Sequence, residues 1–122
     1  MDKVQALTAF WNSFELPAYD DASVPDKAAF PYITFNVATD SLGNVTNLTA
    51  NVWYRSTSWR DITHKVEEIS KAISYSFKTI PFDGGYIYMT RGTPFAQRMD
   101  DPDDNLIKRY YINVQAEYLC AD

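Results

Sequence analysis

Residues 59–77 read WRDITHKVEEISKAISYSF. Ile62, Val66, Ile69 and Ile73 step by four, three and four, with Ala72 and Phe77 alongside. That is one apolar stripe on a period near 3.6 residues. Arg60, Lys65, Glu67, Glu68 and Lys71 fall on the opposite face. Ser58 is placed to cap this helix, with Asp61 three residues on in a capping-box-like arrangement. The other periodic stretches nearby alternate with period two, as strands do. One amphipathic helix lying between two pairs of strands has to bury its stripe against the sheet they form. Ordering about 18 backbone residues costs on the order of 1–2 kcal/mol each. Burying about six side chains returns on the order of 1.5–3 kcal/mol each. The helix therefore forms because the sheet is there.

Upstream, Leu48 to Arg55 alternates, with Leu48, Ala50, Val52 and Tyr54 on one side and Thr49, Asn51, Trp53 and Arg55 on the other. Tyr32 to Thr39 alternates as well: Ile33, Phe35 and Val37 face one way, Thr34 and Asn36 the other. The turn cluster Asp40-Ser41-Leu42-Gly43-Asn44 makes the pair an antiparallel hairpin. Residues 3–14 carry Val4, Leu7, Phe10, Trp11 and Phe14 at helical spacing, with Asp2 as N-cap. Residues 16–31 read as a loop, because Pro17, Pro25 and Pro31 and several acids discourage regular structure.

Downstream, Pro81 ends the helical region and Asp83-Gly84-Gly85 is a turn. Tyr86 to Arg91 is a short strand. Residues 91–106 look irregular, giving a long acidic loop at about 92–105 that holds Gly92, Pro94 and Asp100-Asp101-Pro102-Asp103-Asp104. Ile107 to Leu119 is a long strand with Tyr110, Ile112, Val114, Ala116 and Tyr118 on one face. The expected fold class is α+β: a single domain over residues 1–122, ordered α-β-β-α-β-β, with a four-stranded antiparallel sheet and both helices packed on one face.

Nine Tyr, seven Phe and three Trp exceed what one small core needs. Large rigid side chains with a polar tip favour subunit interfaces. The formal charge of −5 opposes a phosphate-binding groove, which needs a basic patch. The lone Cys120 excludes an intrachain disulfide and fits a reducing cytoplasm. Residues 1–15 lack a signal-like apolar run, and no stretch reaches the roughly 18 apolar residues of a membrane span. The sequons at Asn44 and Asn47 then read as turn and strand chemistry.

The chemistry-bearing residues stand apart from one another. His64, the only histidine, lies on the polar side of the helix with no partner to make it a base. Cys120 has no activating histidine. The acidic run lacks the glycine and distal glutamate of a calcium loop. Gly84-Gly85 belongs to a turn and forms no phosphate loop, and no serine sits in a nucleophile elbow. The expectation is no enzyme, no cofactor and no metal.

Several stretches resemble the tail terminator (tail completion, or tail-to-head joining) proteins of long-tailed bacteriophages. They are Pro31-Tyr32-Ile33-Thr34-Phe35, Val52-Trp53-Tyr54-Arg55-Ser56, the Trp59-Arg60-Asp61 helix opening with Glu67, Ile69, Ala72 and Ile73, and Arg109-Tyr110-Tyr111 with Val114 and Glu117-Tyr118. The resemblance implies a structural protein of the virion. It implies a homo-oligomer, a hexameric ring, that caps the tail tube and joins it to the head connector. Sheets line the ring, and DNA passes the lumen without specific binding. The partners implied are the tail tube protein and a head-completion or connector protein, with no membrane. The protein would be made in the host cytoplasm and end at the head-tail interface. The expected subunit or ring contacts are Trp53, Arg55, Arg91, Phe95, Arg98, Asp100, Asp101, Asp103, Asp104, Arg109 and Tyr111. Two other readings stay open: another connector or tail-tube component, or a small cytoplasmic α+β ligand-binding domain whose aromatics line a pocket. A third is a metal enzyme built on the acidic loop.

Overall fold

The computed structural model describes residues 1–38, 44–73 and 78–120. Its elements are α1 (Lys3–Asn12), β1 (Ala18–Asp20), β2 (Tyr32–Phe35), β3 (Val45–Arg55), α2 (Arg60–Ile73), β4 (Lys78–Phe82), β5 (Gly85–Asp100) and β6 (Ile107–Cys120). The strands form one sheet in the order β1-β2-β3-β6-β5-β4. β1 pairs with β2 in parallel and all other neighbours are antiparallel.

This corrects the expected four-stranded antiparallel sheet and its α-β-β-α-β-β order: the sheet is mixed, six-stranded and curled into a half-barrel. The two extra strands are its edges. β1 lies in the stretch read as a proline-rich loop, and β4 contains Pro81, read as a helix stop. Edge positions accept short strands and proline because half of their backbone groups need no ladder partner. β5 also runs on to Asp100, so the irregular loop shrinks from 92–105 to the residues between Asp100 and Ile107. A bulge between Arg91 and Ala96 absorbs the Gly92-Thr93-Pro94 interruption. A Cβ on Gly92 would lie 2.8 Å from Cβ of Asn113 and 2.9 Å from its carbonyl oxygen, so glycine lets the strands close there.

The helix quoted above forms over Arg60–Ile73; residues 74–77 lie outside the described residues, as do 39–43, so the expected turn Asp40–Asn44 falls outside them but for Asn44. Ile62, Val66, Ile69 and Ile73 are all buried, as the stripe requires. Ser58 Oγ accepts from Arg60 N–H at 3.1 Å. In α1, Asp2 accepts from Gln5 N–H at 2.8 Å, and Gln5 Oε1 accepts from Asp2 N–H at 3.0 Å, a complete capping box. Phe10, Trp11 and Phe14 pack edge-on or tilted with one another, and Trp11 stacks on Phe35 of β2. Lys65 of α2 donates to the Phe14 carbonyl at 2.7 Å, placing a cation at the C-terminal end of α1.

Both helices lie on one face of the sheet, and α1 touches both edge strands, β1 and β4. The sheet must therefore curl toward the helices, which leaves its other face convex. The core fills the concave side with Leu48, Ala50 and Val52 from β3, Tyr110, Ile112, Val114, Ala116 and Tyr118 from β6, and Ile87 and Met89 from β5.

Both edges are blunted. Asn12 brackets the Ala18 peptide, accepting its N–H at 3.1 Å and donating to its carbonyl at 3.3 Å. Beyond the end of β4, the Asp83 N–H donates to the Met1 carbonyl at 2.6 Å. The N-terminal ammonium pairs with the Asp83 carboxylate at 2.9 Å. Pro81 has no N–H to offer. Growth of the sheet by strand addition is disfavoured at both sides.

Candidate functional site

Among the described residues, the convex face is a large surface that the two helices leave open. Register fixes what it displays, because residues directly opposite across a ladder share a face. Tyr32 lies opposite Trp53, Trp53 opposite Arg109, and Arg109 opposite Met99. This row crosses four strands at one end of the sheet. Tyr32 and Trp53 stack at 6.0 Å with 19° between their planes. The Arg109 guanidinium lies 5.1 Å from the Trp53 ring centroid, a cation–π contact. Tyr19 and Phe30 extend the aromatic group beyond Tyr32.

Hydrogen bonds fix the row. Trp53 Nε1 donates to Thr34 Oγ1 at 3.0 Å, and Arg109 Nη1 donates to Asn51 Oδ1 at 3.3 Å. Burial, and then the nearby Tyr19, raise the Tyr32 pKa above the ordinary phenol value. The row is a rigid, neutral aromatic platform ending in one cation.

Along the rest of the face, β3 shows Asn51, Thr49, Asn47 and Val45, while β6 shows Tyr111, Asn113, Gln115 and Glu117. Amides and hydroxyls fill the middle. Val45, Tyr86 and Leu119 form an exposed apolar group at the far end.

A cleft of about 250 Å³ opens beside Trp53 and Arg109, lined also by Met99, Asp100, Asp101 and Ile107. Beyond it the acidic turn joins β5 to β6. Its carboxylates are partly committed to the turn itself. Asp101 Oδ1 accepts from Asp103 N–H at 2.9 Å and Asp104 Oδ1 from Leu106 N–H at 2.9 Å, both local side-chain turns. Asp104 also pairs with Arg55. The Leu106 N–H first, and then Arg55, hold the Asp104 carboxyl below its ordinary pKa. Among the described residues, no group of three or more His, Cys, Asp or Glu is placed to hold a metal ion.

The expected contact residues divide into two sets. Trp53, Arg109 and Tyr111 share the open face. Arg55, Asp100, Asp101, Asp103 and Asp104 gather around the turn at its end. Arg91, Phe95 and Arg98 do not join them. Arg91 Nη1 donates to Ser70 Oγ of α2 at 3.1 Å. Phe95 packs against the core. Arg98 Nε donates to the Tyr110 hydroxyl at 3.0 Å, and its guanidinium lies 4.9 Å from the Trp59 ring centroid. They turn toward the helix side because β5 is a strand there, with alternating directions, and not a projecting loop. His64 is exposed on α2, and the side chain of Cys120 lies outside the described residues.

Tyr32, Asn51 and Met99 belong to the site and were missed. The phase of the Tyr32–Thr39 alternation already puts Tyr32 on the same side as Thr34. Met99 carried no such signal, since it lay in the stretch read as loop. No protein-family model matches the chain, and a search of curated proteins finds no match.

Proposed function

We propose that the chain is a structural subunit of a long-tailed bacteriophage virion, a tail terminator. In that role copies form a ring, hexameric by the resemblance, that caps the tail tube, meets the head connector and lets DNA through. One observation carries the proposal: an open convex sheet face with an ordered aromatic–arginine row, in a molecule whose two sheet edges disfavour strand addition. Ordered aromatics on a face of a sheet whose edges disfavour strand addition suit association through faces and loop tips. The negative balance suits a wall that DNA must pass without sticking, because phosphate binding needs cations. Trp53, Arg109 and Tyr111 serve as protein contacts, and the acidic turn reaches a neighbouring ring or the lumen.

Light scattering and electron microscopy of the purified chain, alone and mixed with purified tail tubes, test it. Rings, or tubes carrying a cap of this protein at one end, are the expected result. Failure to bind tubes, together with failure to form rings at any concentration, overturns it.

A further inference from the structure

We infer that the open face is self-complementary and pairs with a second copy of this chain through a two-fold contact. The two ionised side chains on the outward row of β6 are Arg109 and Glu117, four residues to either side of Asn113. At about 3.3 Å per residue they stand roughly 26 Å apart. Let a second copy lie face to face on the first, related by a two-fold axis in the contact plane, crossing the strands at Asn113. Each Arg109 then meets Glu117 of the second copy, and Asn113 meets its own counterpart. A two-fold axis along the strands would instead set Arg109 on Arg109, so charge selects the first arrangement.

The rest of the face follows the same symmetry. On β3 the centre is Thr49, which lies opposite Asn113. Trp53 lands on Val45 of the second copy, and Asn51 on its Asn47. On β5 the Met99 position lands on Tyr88, and Gln97 on Thr90. Apolar meets apolar at the ends and amide or hydroxyl meets its like between them. A cleft of about 160 Å³ lined by Val45, Tyr88, Gln115 and Glu117 lies where the Trp53–Arg109 pair of the second copy arrives. Because the sheet curls away on both sides, the contact is a strip along β3, β6 and β5.

An isologous contact closes on two copies. It is thus a different contact from the head-to-tail one a ring needs, and it does not rest on the ring proposal. It covers the charge-poor aromatic face in the protein before assembly.

Sedimentation equilibrium on the whole chain decides the matter, comparing wild type with Arg109→Glu, Glu117→Arg and the double reversal. Wild type should show twice the 14.0 kDa chain mass at about 100 µM, weakening with salt. Each single reversal should weaken the pair by at least about tenfold, since symmetry repeats the lost contact. The double reversal should restore it. Glu117→Arg leaves the Trp53–Arg109 stack intact, so it reports on pairing even if Arg109→Glu disturbs the fold. A wild type that is monomeric or that sediments as a ring with no dimer below it, a Glu117→Arg variant of unchanged mass, or a folded double variant that stays monomeric overturns the inference. Tube capping by Glu117→Arg, scored separately, keeps the ring proposal distinguishable from this one.

Discussion

Glu15 holds a backbone conformation that costs it stability. Its φ of 65° lies in the left-handed region, where a side chain crowds the carbonyl. It lies three residues beyond Asn12, the last residue of α1, with the cap Ser13 and Phe14 between them. Its side chain is exposed. Glu15→Gly should therefore stabilise the fold by about 1 kcal/mol, the strain relieved exceeding the added chain entropy; a urea melt reads the shift. Tyr118 presents the reverse case, a residue well matched to its surroundings. It is 1% exposed and donates to the Ala38 carbonyl at 2.6 Å, and burial raises its pKa. An unfolded tyrosine ionises near 10.0 whereas the folded one keeps its proton. The stability this gives is fully present below pH 10 and falls as pH rises through the higher folded value. Urea midpoints at about pH 9 and about pH 11 should drop between the two, and less steeply in Tyr118→Phe. That variant should also start about 1 kcal/mol lower, having left the carbonyl unpaired.

At the scale of the element, α2 and the β3–β6 ladder answer to their sequence and the edges do not. Ile62, Val66, Ile69 and Ile73 repeat because one helix face lies on a sheet, and the alternation of β6 is clean because one side is core and the other open. Periodicity was legible wherever a segment has two unlike faces. It failed for β1, whose three residues are too few to show a period, and for β4, which follows α2 closely and contains proline. The outer half of β5 failed for another reason. Its bulge at Gly92 shifts the phase, and Arg98 lies on the helix side through its contacts with Tyr110 and Trp59, where a hydrophobic residue would be expected. The open face was legible in part, since Trp53, Arg109 and Tyr111 fall on the polar phase of their strands. Their convergence with Tyr32 and Met99 needed the register. Two substitutions probe these elements. Ile69→Asp places a charge at a fully buried position of α2 with no partner, and should abolish the cooperative circular-dichroism melt. Gly92→Ala pushes a methyl group against the Asn113 backbone and should cost about 1–3 kcal/mol while leaving α2 formed, because the bulge is local.

On the whole-molecule scale, the curl divides the protein into a closed side and a presenting side. α1 reaches both edge strands, so the helices cover the concave side, and the convex face and the β5–β6 turn stay on the open side of the sheet. Within that turn the acids differ in duty. Asp104 holds Leu106 and Arg55, which makes it part of the scaffold. Asp101 shapes the turn through Asp103 N–H. The carboxylates of Asp100 and Asp103 are exposed and make none of these contacts. Asp100→Asn with Asp103→Asn should therefore leave the melting temperature nearly unchanged, as surface substitutions away from packing features do. Asp104→Asn should lower it, by removing charge from the Arg55 and Leu106 contacts. If the turn reaches a neighbouring ring, the double variant at Asp100 and Asp103 should fold normally and still fail to cap tail tubes. Normal capping by it would confine assembly to the convex face. A turn that only lines the lumen would give a third result, capped tubes with altered DNA passage, since removing charge there acts on DNA and not on subunits. Melting curves and tube micrographs of the same preparations separate scaffold from contact, because the two carboxylate pairs lie in one turn and differ in what they touch.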